Sequence, residues 1–128
     1  MTLIFGAILG FISVAFGAYA EHGLKPIVTD ENFRFLLTAI RYNQVRAVVI
    51  TVIGLFFLSN ENHVALTSLR RTDFLFITGI VIFCFSIYTS VTLDLPSILY
   101  ATPVGGVLIM VGWFMFFIAG IEEKKLKS

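Results

Sequence analysis

Charge is what this chain has least of. Asp, Glu, Lys and Arg make up 13% of its 128 residues, against roughly a quarter in a soluble domain. That shortage excludes an ordinary solvated surface, and a mean hydropathy of +0.95 places the chain among membrane proteins. The net charge is +1 and the nine basic residues are scattered or terminal, which excludes the clustered basic face that nucleic acid requires. The single cysteine excludes an intramolecular disulfide. Cys84 lies inside an apolar run and reads as a small buried hydrophobe. Catalytic signatures are missing too: there is no Gly-x-Ser-x-Gly, P-loop, His-Glu-x-x-His or Cys-x-x-Cys. No catalytic activity, cofactor or metal site is therefore expected.

What the chain does have is apolar length. Four segments, Thr2–Ala20, about Phe35–Leu58, Phe74–Leu93 and Ile98–Ile121, each supply about 20 residues, enough for a helix to cross a ~30 Å hydrocarbon core. Backbone groups in lipid must be satisfied within the segment, and no alternating pattern suggests a barrel. The expected fold is all-α, one integral membrane four-helix antiparallel bundle, with helices at about 2–20, 31–58, 73–93 and 98–121. Ala18-Tyr19-Ala20 looks like a signal-peptide cleavage site. Only Met1 precedes the apolar run, with no basic n-region, so a retained helix is expected.

Local signals divide the helices. Pro26 prevents the first helix from simply continuing, and Thr29 or Asp30 can cap the second. Ser59 to Thr72 reads as a polar connection ending in Arg70-Arg71, with His63 solvated in it. Asp73 and Asp94 bracket the third helix. Pro103 falls in the first turns of the fourth and should bend or loosen it there. Gly6, Gly10, Ser13 and Gly17 lie along one stripe of the first helix. Gly105, Gly112 and Ala119, with Gly106 adjacent, form a second seam of small side chains. Within the first stripe, Gly10→Leu is expected to overpack a neighbouring backbone at ~1–3 kcal/mol.

Orientation follows from the flanking basic residues. Arg70, Arg71, Lys124, Lys125 and Lys127 share one side, with Lys25, Arg34 and Arg41 opposite. The positive-inside rule then puts both termini in the cytoplasm.

Arg46 is the anomaly. It falls well inside the second apolar segment, and a lone charge at that depth costs about 2.5–3.5 kcal/mol. Tyr42, Asn43 and Ala39 lie near it on the same helix face. Glu21 and His22 end the first helix, and Asp94 ends the third at the same membrane face. These residues (Glu21, His22, Tyr42, Asn43, Arg46 and Asp94) form the candidate polar cluster. Arg46 is expected to contact an acid, Glu21 first and Asp94 second. His22 reads as a hydrogen-bonded interfacial histidine, and Trp113 as a packing residue.

Three stretches resemble a known family over nearly the whole chain. They are Phe16-Gly17-Ala18-Tyr19-Ala20-Glu21-His22-Gly23-Leu24, Thr38-Ala39-Ile40-Arg41-Tyr42-Asn43-Gln44-Val45-Arg46, and Thr102-Pro103-Val104-Gly105-Gly106 with Gly112-Trp113. The order and spacing are similar to the "domain of unknown function 423" family of small bacterial inner-membrane proteins. Arg46 stands where that family usually has histidine, and Glu21 where a small residue is usual. The resemblance implies the fold and an inner-membrane location and leaves the activity open. The leading expectation is a structural or accessory protein that binds other membrane components, whether the bilayer, a membrane-protein partner or a second copy of the chain. The alternative is a small-molecule, lipid or proton-handling protein built on the Arg46 cluster.

Overall fold

The computed structural model describes residues 1–59 and 66–127. The chain forms α1 (Thr2–Tyr19), α2 (Asp30–Ser59), α3 (Leu66–Thr92) and α4 (Thr102–Lys127). A π-helical turn, Ala20–Leu24, extends α1, and a 3₁₀ segment, Pro96–Ala101, leads into α4. All four helices are long and apolar enough to cross a membrane. The described residues contain no strand.

The termini of the helices have local causes. Thr29 Oγ1 accepts the Asn32 backbone N–H at 3.1 Å, satisfying one of the free donors of α2, with Asp30 and Glu31 in its first turn. Lys25 N–H reaches Ala20 O at 2.9 Å, closing the π turn. Asp94 takes a left-handed backbone, φ 52°, and lets Leu95 N–H bond back to Ser90 O at 3.0 Å. The chain thus reverses between α3 and the 3₁₀ segment in very few residues. Pro103 stands second in α4, where the first free N–H groups lie anyway, and it falls at the change from 3₁₀ to α.

One boundary differs from expectation. α3 begins at Leu66, not Asp73, so Arg70 and Arg71 stand on a helix and not in a loop. Hydropathy marks where lipid begins, and a helix runs on beyond it. His63 lies outside the described residues.

Helices adjacent in the chain pack side by side, α1 on α2, α2 on α3 and α3 on α4. The most enclosed is α3, with half of its apolar window buried. Its core positions Phe76, Ile80, Cys84, Ile87 and Val91 meet Leu36, Ala39, Ile50 and Ile53 of α2 and Ile109 of α4. Large apolar side chains such as Phe11, Val48, Met110 and Phe117 point outward. Polar ones such as Ser13, Asn43, Thr72 and Ser86 are buried. This distribution suits a lipid solvent, which offers polar groups no partner. Interhelical hydrogen bonds from Thr2 Oγ1 to Asp73 Oδ2 (2.7 Å), Ser68 Oγ to Glu122 Oε2 (2.6 Å), and between Ser86 Oγ and Thr102 Oγ1 (2.6 Å) stitch the ends.

Close backbone approach occurs at two crossings. On α1–α2, a Cβ at Gly6 would fall 2.8 Å from Thr51 N, and one at Gly54 would fall 2.7 Å from Leu3 N. On α3–α4, a Cβ at Gly105 would lie 2.7 Å from Gly79 O, and one at Gly112 would lie 2.8 Å from the Phe76 ring. The other expected seam positions have room. At Gly10 a Cβ meets only Ala47 Cβ at 3.8 Å, at Gly17 Ile40 at 3.8 Å, and at Gly106 Phe83 at 3.8 Å. The tight point of the first stripe is therefore Gly6, not Gly10. Gly10→Ala should leave the melting temperature in detergent close to the parent's, while Gly6→Ala should lower it by the equivalent of ~1–3 kcal/mol.

Candidate functional site

The expected polar cluster is divided by depth. Glu21 and His22 stand exposed in the π turn, and Glu21 Oε1 accepts from Lys25 Nζ at 2.9 Å across one helical turn. Asp94 is exposed at its reversal. Tyr42 is partly exposed on α2, while Asn43 and Arg46 are buried in mid-helix. The acids at the helix ends therefore do not serve the cation at the centre.

Around Asn43 the structure places residues from three helices. Asn43 is fully buried, and its Nδ2 donates to Tyr88 Oη at 3.3 Å. Tyr88 stacks on Phe16 of α1 with ring centroids 4.0 Å apart. One turn back on α3, Cys84 Sγ donates to Ala39 O at 3.1 Å. Asn43 Oδ1 has no hydrogen-bond partner.

Arg46 is 4% exposed, and its Nε is buried without a hydrogen-bond partner. No acid lies within ion-pairing distance of it among the described residues. Its guanidinium instead lies over Trp113, 4.8 Å from the ring centroid, and over Phe76 at 5.3 Å. The two rings meet edge to face at 5.2 Å, so α3 and α4 present them as a corner. A desolvated cation–π contact is worth up to about 2 kcal/mol. Two of them approach the ~2.5–3.5 kcal/mol that the charge costs at this depth. The partner of Arg46 is an aromatic corner, and the expectation of Glu21 or Asp94 is corrected accordingly. Trp113, read from sequence as packing, forms part of the site. A signal existed: Trp113 sits in mid-helix, away from the interfacial belt where membrane tryptophans collect.

A double-mutant cycle tests the assignment. Arg46→Met and Glu21→Gln should add within about 0.5 kcal/mol. Arg46→Met and Trp113→Leu should couple by roughly 0.5–2 kcal/mol. The reverse pattern would restore the acid.

Beside the guanidinium a groove of ≈ 410 Å³ opens between α2 and α4. Tyr42, Arg46, Phe83, Pro103, Met110 and Trp113 are among its lining residues. Its rim residues Tyr42, Met110 and Trp113 are exposed on the flank of the bundle, which faces lipid in a membrane. Chemically, the site offers one fixed cation with flat apolar walls and a lateral opening. It can bind an acceptor oxygen on an apolar body.

A family model described as "Protein of unknown function (DUF423)" matches residues 16–106. The inner membrane protein YgdD of Escherichia coli (strain K12), a "UPF0382 inner membrane protein", is 30% identical, covering 96% of this chain and 91% of the relative. A UPF0382 membrane protein of Haemophilus influenzae is 29% identical over 98% of this chain and 96% of its own length. The UPF0382 membrane protein YwdK of Bacillus subtilis (strain 168) is 28% identical over 94% and 95%. No solved structure matches. The matched stretch runs from Phe16 through Arg46 to Gly106, and the chain belongs to the DUF423 family of bacterial membrane proteins.

Proposed function

We propose that this protein is a multi-pass protein of the bacterial inner membrane that binds a bilayer-dissolved molecule in the α2–α4 groove. The observation that carries this reading is Arg46: buried, without an acid partner among the described residues, and lining a groove that opens sideways. A cation held only for helix packing would have its donors satisfied, since an unpaired buried donor is costly, whereas Arg46 Nε has no hydrogen-bond partner. Here the guanidinium keeps its positive charge beside open volume, so an incoming acceptor oxygen gains a charge-assisted hydrogen bond in a medium that offers no competing water. Binding and positioning suffice, and no reaction step is assigned.

The test is retention. Protein purified from its native membrane in mild detergent should carry an extractable apolar molecule in near-stoichiometric amount, and Arg46→Met should lose it. Identical extracts from both would remove the binding role.

A second reading, contact with another membrane protein or a second copy of the chain, draws support from the opposite flank. There Gly10 has spare room beside Gln44, a polar side chain exposed in mid-helix on α2, and polar side chains in lipid favour interhelical partners. Cross-linking through Ala7→Cys in native membranes should trap that neighbour, and clean monomer would count against it.

The basic residues Arg70, Arg71, Lys124, Lys125 and Lys127 support a cytoplasmic location for both termini under the positive-inside rule. A C-terminal reporter active only in the cytoplasm should work, and one active only in the periplasm should stay silent. The opposite result reverses the orientation and leaves the bundle intact.

A further inference from the structure

We infer that the occupant of the α2–α4 groove is a membrane quinone: a flat, neutral ring whose carbonyl oxygen accepts from Arg46, with an apolar tail. This rests on the binding role proposed above and names its ligand class. Four observations converge on it.

Depth comes first. At 1.5 Å per residue Arg46 lies about 24 Å from the start of α2 and about 20 Å from its end. That is the middle of a helix long and apolar enough to cross a membrane, inside the hydrocarbon, which neutral apolar molecules enter more readily than ionised head groups. The walls come second. Tyr42, Phe83 and Trp113 provide aromatic surfaces beside one cation, and aromatic side chains favour offset or edge contact with another flat ring. Tyr42 and Phe83 already meet edge to face at 5.1 Å, so the corner is built for planar contacts.

The third observation is a second furrow. It too has a volume of ≈ 410 Å³, and it is lined by Val52, Ile53 and Phe56 of α2 and Phe116, Ala119 and Gly120 of α4. Both helices run in the same direction, so its lining residues lie further along α2 and α4 than those of the first groove. It is apolar and long enough in residues to take part of an isoprenoid or alkyl tail. The fourth is charge. Arg46 is the one cation among the described lining residues of the two furrows. A phosphate or carboxylate would have to leave the interface to reach it, whereas a ring carbonyl already lies at that depth.

The chain carries one tryptophan, and it is the residue over which Arg46 lies. Its emission therefore reports on the site alone. Protein in phosphatidylcholine nanodiscs would be titrated with 2,3-dimethoxy-5-methyl-6-decyl-1,4-benzoquinone. The inference expects saturable quenching, with half-saturation at least tenfold higher in Arg46→Met and unchanged in Ile4→Ala, an exposed position on α1. Because Arg46→Met could alter the fold, its melting temperature is measured in parallel, and Arg46→Lys provides a second variant that keeps the charge but loses the fork. Parallel titrations use oleate and phosphatidylglycerol. If either of these changes the emission saturably and only with Arg46 present, while the quinone quenches linearly in every variant, the quinone assignment falls and the groove remains an anion site. If no probe saturates, both the ligand class and the binding role fall.

Discussion

Replacing Gly105 with valine should unfold the α3–α4 pair or cost about 3 kcal/mol or more, the upper range for overpacking. A Cβ there would sit 2.5 Å from Phe83 N and 2.7 Å from Gly79 O. Both neighbours are backbone, so neither can rotate away. The helices would have to separate, and the Ser86–Thr102 hydrogen bond at 2.6 Å and the Phe76–Trp113 corner would open with them. Gly106 is the internal control. One residue along, its Cβ would meet only the Phe83 ring at 3.8 Å, and alanine in a helix gains up to about 1 kcal/mol over glycine. Thermal unfolding in mild detergent should thus show Gly105→Val failing or melting far below the parent, with Gly106→Ala equal to it or slightly above. Equal loss in both would mean that the crossing is not where the structure places it.

The second large effect has the opposite sign. Arg46→Met should make the empty protein more stable, by about 1 kcal/mol. The substitution removes a charge costing ~2.5–3.5 kcal/mol at this depth and forfeits two cation–π contacts that together approach that cost without exceeding it. Methionine refills much of the volume, and its sulfur makes favourable contacts with the same two rings. Arg46→Ala should fare worse than Arg46→Met, because the packed stem is lost too. A residue whose replacement stabilises the fold while abolishing binding is retained for what it binds. A lower melting temperature for Arg46→Met would instead make the guanidinium a structural strut.

Much of the fold was legible because lipid imposes simple rules. Four apolar stretches of sufficient length must be helices, and Thr29 could be named as a cap from its place before Asp30 and Glu31. Less was legible where a property belongs to a pair. Gly6 and Gly10 look alike on one helix, and only the crossing angle with α2 decides which one touches backbone. Gly54, which meets Leu3 at the same crossing, and Gly79, which meets Gly105 on α3–α4, carried no repeating pattern of their own. The start of α3 was missed because Arg70 and Arg71 read as loop, although charges are compatible with helix outside the hydrocarbon. For Arg46 the depth was readable and the partner was not. A search for opposite formal charge finds Glu21 and Asp94, whereas the attraction of a ring face carries no formal charge in the sequence.

The aromatic corner also sets an order of events during synthesis. Phe76 and Trp113 belong to α3 and α4, so the first hairpin, α1 with α2, reaches the membrane carrying Arg46 uncovered. Until the second hairpin inserts, the guanidinium must snorkel toward an interface or draw water inward. Burial of Arg46 is thus a late event that signals completion of the bundle. A chain halted before Trp113 keeps an unsheltered cation in the bilayer.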